Sequence, residues 1–114
     1  MRFLLPVLLL AAAPAAADKV SCTAQQAIAV AKTDADIVKF CAGAQYHGCD
    51  FKARPQPQDE TDSDAQWLVT ASIIHSFDDK GTPRFMPEGA IFAHVSADCR
   101  VTRVLGHGMD RKRE

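Results

Sequence analysis

Apolar residues recur at helical spacing between residues 21 and 42. Ser21 is a suitable N-cap and Gly43 a suitable stop, so the pattern predicts an amphipathic helix between them. Thr33 followed by Asp36 has the spacing of a capping box, which indicates a kink or a break near Thr33. The apolar positions are Ala24, Ala27, Ile28, Ala31, Ala35, Val38 and Cys41 or Ala42.

Strand patterns follow in the second half of the chain. The clearest is the second, in which apolar residues alternate with Thr70, Ser72 and Ser76. Pro55 ends the first, because proline cannot donate to a sheet ladder. The four predicted strands are Cys49 to Arg54, Gln66 to Phe77, Gly89 to Ala97 and Arg100 to Leu105.

This order of elements predicts an α+β fold, with one helix packed across a four-stranded antiparallel meander. If the helix runs from the top of the sheet to its bottom, the first strand starts at the bottom. Successive strands then alternate in direction, up and down. The turn at Cys99 then lies at the top beside Cys22, while Cys41 and Cys49 both lie at the bottom. The topology therefore predicts two disulfides, Cys22–Cys99 and Cys41–Cys49.

The N-terminus has the parts of a secretory signal. Arg2 precedes an apolar run from Phe3 to Ala13, which is too short to span a bilayer, and Ala15-Ala16-Ala17 offers small residues for signal peptidase. We expect a signal peptide at residues 1–17 and a single mature domain at residues 18–114, periplasmic or secreted.

Two other interpretations of the N-terminus are less favoured. A buried helix conflicts with Pro6 and Pro14. A lipoprotein anchored at Cys22 conflicts with Lys19, which occupies a place where lipid attachment requires a small or apolar residue.

Charge and cysteine spacing exclude several classes of function. Basic and acidic residues nearly balance, at 13 and 14, and no basic face with interleaved aromatics indicates nucleic acid. No second apolar stretch could span a membrane. The cysteines lack C-x-x-C spacing and the histidines lack H-x-x-x-H spacing, so we predict no metal, no cofactor and no redox pair. The Arg111-Lys112-Arg113 tail is interpreted as solvated.

Side chains of the types used in catalysis are present, but they do not form a recognisable catalytic motif. His75 is interpreted as a core or rim residue, and no nucleophile motif surrounds any Ser or His. The acidic stretch of Asp59, Glu60, Asp62 and Asp64 lacks the Gly and distal Glu of an EF-hand, so a solvated loop is favoured over weak cation binding. The sequence assigns no catalytic residue.

The sheet face away from the helix is the strongest candidate for a site. By alternation Leu68, Ile74 and Phe92 point away from the helix, with polar His94 and Arg103 among them and Val101 and Leu105 as further candidates. Of the two polar residues, His94 is expected at the surface. An apolar patch with a polar fringe favours a partner or self-association surface. A bulge at Gly89 would shift the alternation and move Phe92 inward.

Two stretches carry a family resemblance. The first is Val20-Ser21 with Ala27-Ile28-Ala29-Val30-Ala31, and the second is Trp67-Leu68-Val69 with the closing residues Asp98 and 101–106. They resemble the helix opening and closing strands of PepSY-type domains and of small immunity proteins with a nuclear-transport-factor-2-like (cystatin-like) fold. The resemblance implies a helix on a curled antiparallel sheet and a function in inhibiting a peptidase or neutralising a toxin, with no catalytic residue carried over. In this chain Cys99-Arg100 occupies a turn where those families have a glycine.

Two classes of function follow from these patterns. The favoured one is an exported small binding protein that acts by protein–protein interaction, of the inhibitor or immunity type. The alternative is a small periplasmic hydrolase, isomerase or small-ligand-binding protein that uses a pocket between helix and sheet.

Overall fold

The helical segment is two short helices. The structure is a computed structural model that describes residues 22–43, 45–56 and 65–113, so Ser21 and the proposed signal peptide lie outside the described residues. Helix α1 spans Ala24–Ala31 and helix α2 spans Ala35–Cys41. The predicted break is therefore present, and it divides the one expected helix into two.

Each helix begins with a polar cap. Thr23 caps α1 in a complete capping box: its Oγ1 accepts from Gln26 N, while the Gln26 side chain accepts from Thr23 N. Asp34, rather than Thr33, caps α2, because its carboxylate accepts from the backbone N–H groups of Asp36 and Ile37. Thr33 instead donates its hydroxyl to Val30 O in the connecting turn.

The sheet has five antiparallel strands in sequential order, so the prediction of four strands is wrong. The strands are β1 (Cys49–Pro55), β2 (Ala65–Phe77), β3 (Pro83–Ser96), β4 (Val101–Gly106) and β5 (Met109–Lys112). The missed strand, β5, follows a two-residue turn at His107 and Gly108, whose φ angles are 54° and 75°. Positive φ at both central residues is typical of the type I′ turn that joins twisted strands tightly.

Both helices pack on one face of the sheet. Ala27, Ala31 and Ile37 supply the helical side of the core. The Trp67 indole donates from Nε1 to Cys22 O at 2.8 Å and ties the start of the described chain to the sheet. The fully buried sheet residues of this core alternate along their strands, as a half-covered sheet requires: Val69, Ala71, Ile91, Ala93, Val95 and Val104.

The two disulfides are Cys22–Cys99 and Cys41–Cys49, the pairs predicted from the topology. The first joins the residue before the N-cap of α1 to the β3–β4 turn, and the second joins the end of α2 to the start of β1. Ser96 N donates to Arg100 O at 2.9 Å, so three residues close this hairpin, and the last of them, Cys99, has φ 63°, in the left-handed region. Among the described helices, none is long and apolar enough to cross a membrane.

Candidate binding face

The sheet face opposite the helices, here called the outer face, is organised in transverse rows. The first row crosses all five strands through directly paired positions, Arg54, Leu68, His94, Arg103 and Lys112. Directly paired residues of antiparallel strands point to the same face, so these side chains lie side by side. Three of the five are permanently cationic, which makes the row a positive band with an apolar residue inside it.

The second row lies one pleat further along, about 7 Å away. It also crosses all five strands, through Lys52, Thr70, Phe92, Leu105 and Asp110. Its centre is apolar, since Phe92 and Leu105 are direct neighbours and neither belongs to the core under the helices. The outer face therefore combines an apolar centre with a mainly cationic surround.

The predicted site residues fall on this face, with differences in exposure. His94 is only 3% exposed, so the expectation that it lies at the surface is wrong; it sits between Leu68 and Arg103 in the first row, and its backbone oxygen accepts from Thr102 Oγ1. Leu68 is 9% exposed. Phe92 is half-buried. Partner contact through the side chains of the first row therefore falls mainly to its charged members.

Ile74 lies apart from the other candidates. It is six residues from Leu68 along β2, or about 20 Å, and pairs with Phe85 on the far extension of the β2–β3 hairpin. Phe77 and Phe85 are among the exposed large apolar residues there. Val101 also differs from the expectation, because it pairs with Val95 and packs against the core on the helix side.

One ion pair fixes the geometry at the β4–β5 side of the face. Arg103 donates from Nε and Nη2 to the two carboxylate oxygens of Asp110, at 2.7 and 2.8 Å. The hydrogen bond from Arg103 holds the pKa of Asp110 below its usual value, against a smaller opposing effect of desolvation. A guanidinium held by two parallel bonds loses little further freedom when a second anion approaches it.

A bulge in β3 ends the outer face on one side. Ser72 pairs with Ala90 and Ile74 with Phe85, so the four residues 86–89 of β3 stand opposite Ile73 alone. Because the bulge precedes Ala90, the alternation of β3 beyond it is unchanged and Phe92 stays on the outer face. Beside the bulge is an open depression of about 320 Å³, lined by Glu88, Ala90, Phe92, Gly106 and His107.

A second depression, of about 290 Å³, lies where the helices meet β4. It is the place that a helix–sheet pocket enzyme would use. Of its three charged lining residues, Asp34 and Arg113 are bonded to each other, at 2.9 and 3.0 Å, and Arg100 pairs with Asp98 at 3.1 Å. The described residues contain no group of three His, Cys, Asp or Glu side chains that could hold a metal ion.

The histidines lie away from this depression. His75 is exposed, at an irregularity near the end of β2, with Nδ1 3.2 Å from Ser76 Oγ, so it is a rim residue as the sequence suggested. The His47 ring packs edge-on against Phe77 with ring centroids 5.3 Å apart. Of these two rings, that of His75 therefore contacts a hydroxyl group and that of His47 an aromatic ring.

Sequence reasoning missed the edge of the face that β5 supplies. Asp110 and Lys112 were outside every predicted strand, although His107-Gly108 before alternating residues is a usable two-residue hairpin signal. It also missed Arg54 and Lys52, which were recognised as strand residues but not as neighbours of Leu68 and Thr70. Which residues are neighbours across two strands depends on the register of their pairing, and the pattern of residues within one strand does not specify that register.

Comparison of the chain with protein-family models, with curated proteins and with solved structures finds no match. The functional interpretation therefore depends on the geometry of the face itself.

Proposed function

We propose that this chain is an exported protein that acts by binding another protein through the outer face of its sheet. The observation that supports this most is the pair of transverse rows, in which Phe92 and Leu105 form an apolar centre outside the core and charged residues surround them. A single-layer sheet that serves only as a scaffold normally presents a polar outer face. Aromatic and arginine side chains are also the usual anchors of protein interfaces.

The charge of the face indicates the chemistry of the partner. Among the residues of the two rows, Lys52, Arg54, Arg103 and Lys112 are cationic and Asp110 is anionic, whereas the whole chain has a formal charge of −1. A positive face on a nearly neutral protein steers and selects an anionic surface. The partner is therefore an acidic protein surface with an apolar side chain at its centre.

The setting of this interaction is outside the cytoplasm. Two disulfides in a domain of this size persist in oxidising compartments. The signal-like pattern of residues 1–17 agrees with that setting. Inhibition of a peptidase or neutralisation of a toxin, the actions implied by the PepSY-like and cystatin-like resemblance, both fit a protein that binds an acidic surface without chemistry of its own.

Site-specific photo-crosslinking tests the proposal in the native cell envelope. A benzophenone amino acid at position 92 should give an adduct with one protein, and mass spectrometry should locate the crosslink in an acidic segment of it. The matched control carries the same group at Val38, which is 51% exposed on α2. An adduct at Val38 but not at position 92 would contradict the proposal.

Charge reversal then tests the cationic surround. The double variant R54E/K112E changes both ends of the first row and should lower the yield of the adduct at position 92 by about ten-fold or more. Lys39→Glu changes an exposed residue of α2 and serves as the control, with unchanged yield. Equal losses in the two variants would mean that overall charge, rather than the outer face, determines binding.

A further inference from the structure

The depression beside the bulge, here called the bulge pocket, continues the apolar centre of the outer face. Its five lining residues come from two neighbouring strands and the turn that follows: Glu88, Ala90, Phe92, Gly106 and His107. Its volume of about 320 Å³ is at the lower end of the range for ligand sites, so it suits one side chain better than a large ligand. Phe92 belongs both to the second row and to this pocket.

The walls of the bulge pocket are held in place before any ligand arrives. His107 donates from Nε2 to the backbone oxygen of Glu88 at 2.5 Å, which joins the β4–β5 turn to the bulge. The His107 ring also packs against Phe40 of α2, with the ring centroids 4.9 Å apart. A pocket with fixed walls binds without a large ordering cost.

Two glycines permit this close approach. A Cβ on Gly89 would lie 2.6 Å from Met86 Cβ, so only glycine lets the bulge fold back on itself. A Cβ on Gly106 would lie 3.2 Å from Ala90 O and from Ile91 Cα, and Gly106 has φ 126°. Glu88 has φ 58°, a conformation that costs energy for a residue with a side chain.

Glu88 supplies the acidic side chain among the residues that line the pocket. This side chain is exposed, and no hydrogen bond or ion pair joins it to any residue that the structure describes. Apolar Ala90 and Phe92 line the same pocket. A carboxylate attracts a guanidinium, which can form two parallel hydrogen bonds with it. A guanidinium can also stack on the face of an aromatic ring.

We propose that the bulge pocket binds an arginine side chain of the protein partner, with the guanidinium on Glu88 and the aliphatic stem on Phe92. The proposal rests on the proposed function, and it defines how the partner is oriented on the outer face. Ala90 is four residues from His94 along β3, so the pocket lies about 13 Å from the cationic first row. The partner must therefore present its acidic groups at one end and the arginine at the other.

A defined probe tests the pocket without the partner. N-acetyl-arginine N-methylamide is titrated into the oxidised, mature protein while amide chemical shifts are followed by NMR. Shifts should concentrate at Glu88, Phe92 and Gly106, and the dissociation constant should increase about five-fold or more in Glu88→Gln. Glu88→Gln preserves the backbone oxygen that His107 binds, so the pocket keeps its walls.

Three comparisons make the outcome decisive. The lysine analogue should bind more weakly, because it cannot pair with the carboxylate through two parallel bonds, and the norleucine analogue should bind more weakly still. Lys39→Gln, which changes an exposed residue of α2, should leave arginine binding unchanged. Equal binding of arginine and norleucine, or equal affinity in wild type and Glu88→Gln, would overturn the inference.

The two proposals can fail separately. If the crosslink at position 92 forms but arginine gives no shift dependent on Glu88, the pocket inference is wrong and the binding face stands. If arginine binds at Glu88 but no adduct forms at position 92, the pocket stands as a cation site and the proposed protein partner is wrong.

Discussion

Arg113 holds the carboxylate of Asp34, 79 residues earlier in the chain, by donating from Nε and Nη2 at 3.0 and 2.9 Å. Asp34 is also the N-cap of α2, and its side chain is only 7% exposed. The pKa of Arg113 is raised, and the largest cause is its hydrogen bonding to Asp34. The end of the described chain is thus fastened to the helix layer, and the expectation of a solvated basic tail is wrong there.

Removal of this pair should destabilise the fold. Arg113→Ala leaves a nearly buried carboxylate without its cation, and we expect a loss of about 1–3 kcal/mol in the free energy of unfolding. Arg113→Lys should recover part of the loss, because it restores the charge without the paired hydrogen bonds. Urea denaturation followed by circular dichroism measures both changes.

Arg111 offers the matched control. It makes one contact with Asp36 at 3.2 Å and its side chain is 63% exposed. Arg111→Ala should cost less than about 0.5 kcal/mol, as for most exposed ion pairs. If both arginines cost the same, the fastening of the tail to Asp34 is not a significant source of stability.

The two disulfides should differ in what they contribute. Cys22–Cys99 closes a loop with a sequence separation of 77, and Cys41–Cys49 one of 8. In the chain-entropy description, opening them costs about 4.5 and about 2.5 kcal/mol respectively. Thermal unfolding of the two double serine variants should therefore show the larger loss for C22S/C99S.

Peptide mapping without reduction provides the independent measurement for the disulfides. It should yield one linked peptide pair containing Cys22 and Cys99 and another containing Cys41 and Cys49. A linkage between Cys22 and Cys49 would contradict the order of strands, because β1 begins at the end of the sheet opposite the β3–β4 turn.

Features set by short-range periodicity were predictable from the sequence. The alternation of β2 placed Val69 and Ala71 in the core and Leu68 on the other face, and the structure agrees. The disulfide pairs followed because an up-and-down meander fixes which chain ends lie together. The break near Thr33 was also indicated, although the competing cap one residue later, Asp34, is the one that begins α2.

Features that depend on distant neighbours were not predictable. The tail pattern Met109-Asp110-Arg111-Lys112 is almost wholly polar, and it forms β5 because Arg103 and Val104 offer an open edge beside it. The burial of His94 likewise depends on its position between two other strands. The bulge pocket requires residues of β3 and the turn after β4 to approach, which no single segment encodes.

Neighbouring positions on β3 provide a direct test of the two faces. Ile91 is completely buried in the core, so Ile91→Ala should cost about 2–5 kcal/mol. Phe92→Ser should cost less than half of that, because the ring lies outside the core. It should nevertheless weaken the partner complex by at least about 1 kcal/mol. Chemical denaturation and the crosslinking yield at Leu105 measure the two effects.

The opposite ranking would move Phe92 to the core. If Phe92→Ser unfolds the domain while Ile91→Ala is tolerated, the register between β2 and β3 is shifted by one residue, since such a shift exchanges the faces of every side chain. Thr70→Ala, at the position paired with Phe92, is a mild control that should leave stability within about 0.5 kcal/mol of the wild type.

The acid response of the outer face should depend on Arg103. Hydrogen bonding to Arg103 lowers the pKa of Asp110 in the folded state. The ionised carboxylate therefore stabilises the fold at pH values above the pKa that Asp110 has in the unfolded chain. This contribution is lost as the pH falls through the lower pKa of the folded state. Arg103→Gln should raise the pKa of Asp110 towards its usual value, measured by NMR titration of the carboxyl carbon. Asp98 is the internal control: its pKa is lowered chiefly by a hydrogen bond from Ser96, and it should not change in this variant. Equal shifts at both carboxylates would contradict the pairing of Arg103 with Asp110.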